Sequence, residues 1–505
     1  MSAPAPLALA DRRIASWIFI LAALTYAWFH AGGGWNQNAQ FDLTRAIVER
    51  HTFAIDGLQT NTGDLSRYGG HWYPNKAPGI SLLACVVYWP LHAIETAQGL
   101  DPGDPLVLIA NHYLCTVCVI ALLGALVPAL LYRKARRGGV DPLWAAVVAM
   151  TIAFATQLFP YSTMLVANAP SASLLFVAFV YATRSRDTGG DAVVAGIAAG
   201  LAALTNYLCV PAAAIVGLLM LRRAGRARAA ALFIAGALPP LLLLGVYQRI
   251  TCGGFFRTPM STMDRRFVDA HAILGIIGRP SVEAAWGITF SAYRGLFYFA
   301  PVLLAGAAAL VVWLRSRNEL PELTAIAAIS ALLFLFNMSF NGWEGGFGVG
   351  GRYLLPLIPL WGLAMLRCRG TMRVAIVALA IPSFAINFAA TAVDPQPSGT
   401  IPRPLTQYIL PLLIDGSFSP DVPITPPWSA ATFTGHTSVN RLTYDEAVVF
   451  SRQPPGSAAA EWSSFNLGEG FFGAGDVRSL IPIALMLLGG ITAILTAASK
   501  AAANT

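Results

Sequence analysis

Two side chains in the first hundred residues, Asp42 and Lys76, are of the types that could carry a group transfer at a membrane surface. Asp42 stands in FDLTRAIVER. Lys76 stands in HWYPNKAPG, bracketed by turn residues and followed at once by an apolar run. A carboxylate can deprotonate a hydroxyl or amine as that group attacks a sugar carbon. A lysine ammonium can neutralise the phosphate that departs, stabilising charge that grows in the transition state. The bland alternative gives both residues structural work: Asp42 caps its helix and pairs with Arg45, while Lys76 snorkels into lipid headgroups. From these residues alone both readings stand.

Further candidates are scattered along the chain. Arg294 and Arg352 each fall at the outer mouth of an expected crossing helix, and arginine binds phosphate bidentately, so both could hold a donor phosphate. Headgroup snorkelling, or a pair between Arg352 and Glu344, would use them otherwise. Arg265 and Arg266 could add to a phosphate funnel, although Asp264 and Asp269 beside them suit a solvated loop. NGWEGGFGVGGRY, from Asn341 to Tyr353, is glycine-dense but lacks the strand-to-helix context of a nucleotide loop. Its glycines suggest close backbone approach or a mobile loop. Its Trp343 and Phe347 could stack on a sugar or sit in an interfacial aromatic belt. Arg45, His71, Tyr73, Trp343 and Glu344 are therefore candidate sugar or acceptor contacts. His51, His71 and His271 show no ligand spacing, so no metal site is assigned and the sequence requires no cofactor; dependence on a divalent metal stays open. Cys115 and Cys118 form a CxxC inside an apolar run without a matching pair, which suits packing. Asn168 and Asn206 suit hydrogen bonds between helices, and Asn111 and His112 stand near the outer end of theirs.

The elements that must position these residues are membrane helices. Of 505 residues, 56% are hydrophobic and 11% charged, against about 25% charged in soluble domains. Apolar runs near the length that crosses a bilayer place spans at 14–31, 106–132, 143–160, 167–184, 190–206, 208–222, 229–248, 293–314, 322–341, 353–367, 373–391 and 479–498. The apolar segment 79–94 is short and interrupted by Pro90. Counting it as a span would throw the cluster Arg133, Lys134, Arg136 and Arg137 to the outside. Kept at the surface, it leaves 18 of the 33 basic residues in short inside loops and tails, with 6 of the 25 acidic ones. Both termini then face the cytoplasm and about twelve helices cross.

The expected organisation is a transmembrane module over 1–391 with a first outer loop at 32–105. A loop-rich extracytoplasmic segment follows at 392–478, then a final helix and tail at 479–505. The net charge of +8 follows from this topology; no basic stripe with interleaved aromatics suggests nucleic acid. In the first outer loop, Phe41, Leu43, Ala46 and Ile47 form an amphipathic pattern expected to lie along the membrane surface.

The pattern Asp42-Leu-Thr-Arg45, then about thirty residues, then Asn75-Lys76-Ala-Pro78 before an apolar run, resembles the GT-C glycosyltransferases. The nearest branch holds the lipid A aminoarabinose transferases and protein O-mannosyltransferases, with an Asp-Glu type motif after the first helix and a Lys-Pro-Pro type motif before a juxtamembrane helix. The distal stretches FPYSTMLVANAPSASLL, SAYRGLFYFAPVLL and NGWEGGFGVGGRYLLPLIP resemble an uncharacterised bacterial subgroup. The chain departs from the family pattern at Leu43, where a second acid would stand, and at Ala77. The resemblance implies an all-α polytopic bundle with outer juxtamembrane helices, acting at the outer face of the inner membrane. It implies that Asp42 is the catalytic base and that Lys76 contacts the phosphate of a polyprenyl-linked sugar donor. Membrane lipids and a glycan, lipid or protein acceptor would be the partners. A transporter or flippase of lipid-linked intermediates is the rival of another class, but it would prefer charges buried mid-helix along a pathway. A lipid-linked glycan ligase or polymerase is a nearer rival.

Overall fold

The computed structural model describes residues 8–184, 189–222, 225–263, 272–273, 275–316, 320–399, 401–415, 464–473 and 476–503. Most of the expected outer segment 392–478, namely 416–463, lies outside the described residues. So do Asp264, Arg265, Arg266, Asp269 and His271, and the inside charges Arg186, Asp187, Arg223, Arg317 and Glu319.

The chain is an all-α polytopic protein. Six described helices are long and apolar enough to cross a bilayer: Gly79–Ala97, Pro105–Arg137, Arg226–Cys252, Pro321–Ser339, Thr371–Val393 and Val477–Ala503. Shorter apolar helices at Pro142–Phe154, Asn168–Ala182, Gly189–Thr205, Cys209–Arg222 and Val302–Arg315 fall on expected spans, and another at Leu405–Ile414 does not. The first helix, α1, runs Leu9–Trp28 and carries Asp11 in its opening turn. The expected span at 353–367 holds the helix Leu357–Met365, buried at every position, with Trp144 Nε1 donating to the Met365 carbonyl at its far end. One expected span is corrected. The span placed at 293–314 is broken before Pro301, with a single turn at Leu296–Phe299 ahead of the helix from Val302, because proline removes the backbone donor a continuous helix needs.

Small residues let the helices approach. A methyl added to Gly200 would stand 2.7 Å from the Ala237 carbonyl, so Gly189–Thr205 and Arg226–Cys252 meet backbone to backbone, the usual packing of small residues in membranes. At the end where the charge rule puts the cytoplasm, ion pairs join helix ends. Arg136 Nε lies 2.7 Å from Asp11 Oδ1, Lys134 Nζ 3.3 Å from Glu322 Oε1, and Arg184 Nη1 2.8 Å from Asp191 Oδ1.

At the opposite end lie α2 (Trp35–Arg50) and α3 (Gly79–Ala97). They run side by side in the same direction. Ser81 Oγ donates to Gln40 Oε1, the Thr44 hydroxyl to the Ser81 carbonyl, and the Tyr88 hydroxyl to Glu49. Along α3, Glu95 meets Asn111 and Ala84 meets Cys115 of the helix Pro105–Arg137. Ile80, Ala84 and Tyr88 of α3 share one buried cluster with Leu108, Cys115, Val119 and Ile120 of that helix, so α3 lies against its first half. The buried set Gln37 to Ala46 corrects the expectation for α2: it is enclosed protein on nearly all sides, not a helix with one face in water.

Two small sheets complete this end. Strand β1 (Phe29–His30) is extended by α1's exit. Strands β2 (Leu65–Tyr68) and β3 (His71–Pro74) pair as an antiparallel hairpin, Leu65 opposite Pro74 and Tyr68 opposite His71. Strand β4 (Phe465–Asn466) pairs with β1, Phe29 opposite Asn466, tying the chain after the outer segment to the exit of the first helix.

Candidate active site

Asp42 stands seven residues inside α2 rather than at its cap, and it is fully buried. Arg45, the partner offered by the structural reading, is turned to Glu49 at 2.7 Å. Neither capping nor that ion pair accounts for Asp42. Its Oδ1 accepts from Asn61 Nδ2 at 3.4 Å, and its Oδ2 has no protein partner. Burial pushes its carboxyl up from 3.8 to about 8, against smaller opposing effects of the Asn61 hydrogen bond and the Arg45 charge. The cause is desolvation, which penalises the ionised form.

Asn61 belongs to a turn, Gln59–Asn61, that is stitched to α2. Asn38 Nδ2 donates to the Asn61 carbonyl at 2.7 Å, and the Thr62 hydroxyl to the Trp35 carbonyl at 2.8 Å. Gly63 lies on the Trp35 ring, where a methyl would come within 2.5 Å; only glycine lets the chain pass that close. Asp64 follows and opens into the β2–β3 hairpin. Asn75 N donates to the Asp64 carbonyl at 2.9 Å, and Lys76 Nζ lies 2.9 Å from Asp64 Oδ1. Asp42 and Lys76 are thus joined through a four-residue stretch, Asn61 to Asp64, whose ends can be at most about 10 Å apart.

Arg352 feels the charge of Asp64 as well. Its guanidinium donates to the Tyr353 hydroxyl at 3.1 Å, and its carbonyl is held by Asn168 Nδ2 at 3.1 Å. Among the described residues no ion pair joins it to Glu344. Among the described residues Asp64 is ion-paired with Lys76, and its charge acts on Arg352 without an ion pair.

Arg294 is spent elsewhere. It is 1% exposed, and its guanidinium donates to the carbonyls of Glu344 at 3.2 Å, Gly346 at 2.6 Å and Tyr293 at 3.3 Å. The glycine-dense loop it grips has positive φ at Gly345, Gly346, Gly348 and Gly350. Tyr161 donates to the Val349 carbonyl at 3.0 Å, and Gly348 N donates to the Pro397 carbonyl at 3.4 Å. Of the two expectations for this loop, close backbone approach is the one built. Trp343 packs on Gly287 and edge-on to Tyr293.

His71 sits at the tip of the hairpin, exposed, 2.6 Å from Asp56. Three steps along the strand, about 10 Å, separate it from Pro74, two residues before Lys76. Tyr73, on the same strand, is buried opposite Ser66. The structure brings Asp42, Lys76 and Arg352 towards one stretch, keeps Arg45 one turn from Asp42, and leaves His71, Trp343 and Glu344 outside that set of contacts. Asn38, Asn61 and Asp64 were not singled out from the sequence. TNTGD offered only turn residues, and nothing in its spacing marked it as the link.

The surroundings of Asp42 are rich in carboxamides. Asn38, Asn61 and Asn75 are each at most 8% exposed, and the Oδ1 of each lacks a protein partner. A buried polar atom left unpaired costs about 1–3 kcal/mol, so these oxygens call for polar partners beyond the protein's own, ordered water included. No group of three or more histidine, cysteine or acidic side chains suited to a metal occurs among the described residues.

No family model matches the chain, and no curated protein matches it. Solved structures do. ArnT from Cupriavidus metallidurans, bound to undecaprenyl phosphate, is 13% identical, with a TM-score of 0.48, covering 96% of this chain and 74% of that one. The archaeal oligosaccharyltransferase AglB from Archaeoglobus fulgidus, in complex with an inhibitory peptide and a dolichol-phosphate, is 14% identical, with a TM-score of 0.43, covering 82% and 59%. At these values the likeness carries no reading of function, and what the site does is read from its own residues.

Proposed function

We propose that the protein is a GT-C type glycosyltransferase that moves a sugar from a polyprenyl-phosphate-linked donor to an envelope acceptor at the outer face of the inner membrane. The observation that carries this reading is the stretch Asn61–Asp64, which bonds Asp42 at one end and Lys76 at the other. A base and a phosphate cation at one membrane end are the two parts such a transfer needs. The donor's lipid tail stays in the bilayer, so its reactive carbon meets protein only at the interface.

In the proposed reaction an acceptor hydroxyl attacks the anomeric carbon and its proton passes to Asp42 Oδ2. The bond from that carbon to the phosphate oxygen breaks, with inversion. The leaving polyprenyl phosphate is received by Lys76, which exchanges Asp64 for the phosphate, together with Arg352. Because burial raises its carboxyl, Asp42 is a stronger base than an exposed aspartate once ionised. Arg294 supports this arrangement by fixing the loop that precedes Arg352. The glycosyl class and the acceptor follow from the experiment: full-length protein in nanodiscs, given polyprenyl-phosphoryl sugars and envelope extract, is assayed by mass spectrometry for released polyprenyl phosphate and glycosylated product. Release with wild type and none with Asp42→Asn is the expected result. Equal release by both would remove the assignment.

A further inference from the structure

The turn that follows the helix Arg226–Cys252 carries two arginines and two phenylalanines that the reaction above does not use. Tyr247 packs with Leu43, Ala46 and Ile55, so this helix ends on the α2 side of the bundle. The charge rule disfavours arginine there. Arg249 and Arg257 are nevertheless both exposed, and among the described residues neither is ion-paired with a carboxylate. Arg249 Nη1 donates to the Gly253 carbonyl at 3.3 Å, and the Arg257 side chain lies against Gly254. Both side chains thus flank one glycine pair.

Apolar groups lie just below them. Leu242, Val246 and Arg249 follow at helical spacing on one exposed face, so the arginine stands one turn above side chains that face hydrocarbon. Gly253 has a φ of 81°, and the chain doubles back there. Phe255 returns to Gly245, where a methyl would come within 2.7 Å of its ring. That contact is about 10 Å down the helix from Cys252. Phe256 beside it is 98% exposed. The same turn mounts the hairpin that leads to Lys76: Arg67 N donates to the Thr262 carbonyl at 2.9 Å, Ser66 forms a bridge with Met263, and Tyr68 covers Gly253.

We propose that Arg249 and Arg257 bind the phosphate of an anionic glycerophospholipid of the outer leaflet, with Phe255 and Phe256 seated among its acyl chains, and that this lipid braces the β2–β3 hairpin. Arginine takes phosphate bidentately, and two unmatched cations call for net negative charge. The rings below call for hydrocarbon continuous with that charge. A free phosphate supplies only the first; a lipid headgroup on its own chains supplies both.

Hydrogen exchange of the full chain in nanodiscs tests this without any turnover, so failure of the transferase reading leaves the result intact. In phosphatidylglycerol discs, residues 253–263 and 65–74 should exchange at least about fivefold more slowly than in phosphatidylcholine discs of the same acyl chains. Arg249→Gln/Arg257→Gln should exchange equally in the two lipids, whereas Arg226→Gln/Arg228→Gln, at the other end of the helix, should keep the difference. Phe256→Ser should narrow it with both charges intact. Equal exchange of wild type in both lipids, or a difference that survives the Arg249→Gln/Arg257→Gln change, would overturn the site. So would the same slowing produced by water-soluble glycerophosphoglycerol in phosphatidylcholine discs, which would mark a free-anion site. Slowing in both lipids that grows with protein concentration would mark a second copy of the chain as the occupant, and would overturn the lipid.

Discussion

Asn61 Nδ2 donates to Asp42 Oδ1 at 3.4 Å, and this is the only hydrogen bond the buried carboxylate receives among the described residues. Asn61 therefore orients Asp42 and opposes, without outweighing, the rise that burial imposes on its carboxyl.

Replacing Asp42 by Asn keeps the shape and removes the base. Transfer should fall by about 10²–10⁴-fold, while thermal unfolding in detergent stays unchanged or rises slightly, since a neutral amide is easier to bury. Turnover at the wild-type rate in Asp42→Asn would exclude Asp42 as the base.

The pH profile follows from the raised carboxyl. Its folded value, about 8, lies above the ordinary 3.8, so the base form grows as pH rises and kcat/KM should climb through an acid limb near 8. The Asn61 bond favours the ionised form. Asn61→Leu should move that limb to higher pH, and a limb left in place would show that another group sets it.

Lys76 lies 2.9 Å from Asp64, so a phosphate must displace that carboxylate. Lys76→Ala should cut transfer on the order of 10²–10³-fold. Asp64→Asn frees Lys76 for the phosphate but loosens its position, so KM for the lipid donor should fall while kcat drops. A rise in KM would mean that Asp64 only orders the hairpin.

Arg294→Ala leaves three carbonyls of the glycine loop and its turn without their donor. The loss should be about 1–3 kcal/mol for each carbonyl left unsatisfied, seen as a lowered Tm and faster proteolysis near residue 346. Arg352→Ala, by contrast, should weaken donor binding and leave the Tm close to wild type.

Gly200 faces the Ala237 backbone at a distance that admits no side chain. Gly200→Leu should force the two helices apart at a cost of about 1–3 kcal/mol or more. Far-ultraviolet circular dichroism would keep its helical signal while the Tm falls.

The sequence by itself determined the class of the protein. Apolar runs near bilayer length and arginines confined to short loops follow from the cost of burying charge in hydrocarbon, so they can be read without coordinates. The same physics located the end at which α2 and α3 lie, and residue chemistry singled out Asp42 and Lys76. Only the tertiary structure decided how those two are joined. Asn61 and Asp64 act through a fold of the chain that returns TNTGD onto α2 and the hairpin, contacts between distant positions that no local periodicity encodes. It also decided what Arg294 touches, the carbonyls of Tyr293, Glu344 and Gly346, two of which lie on a loop at least 50 residues away rather than beside it.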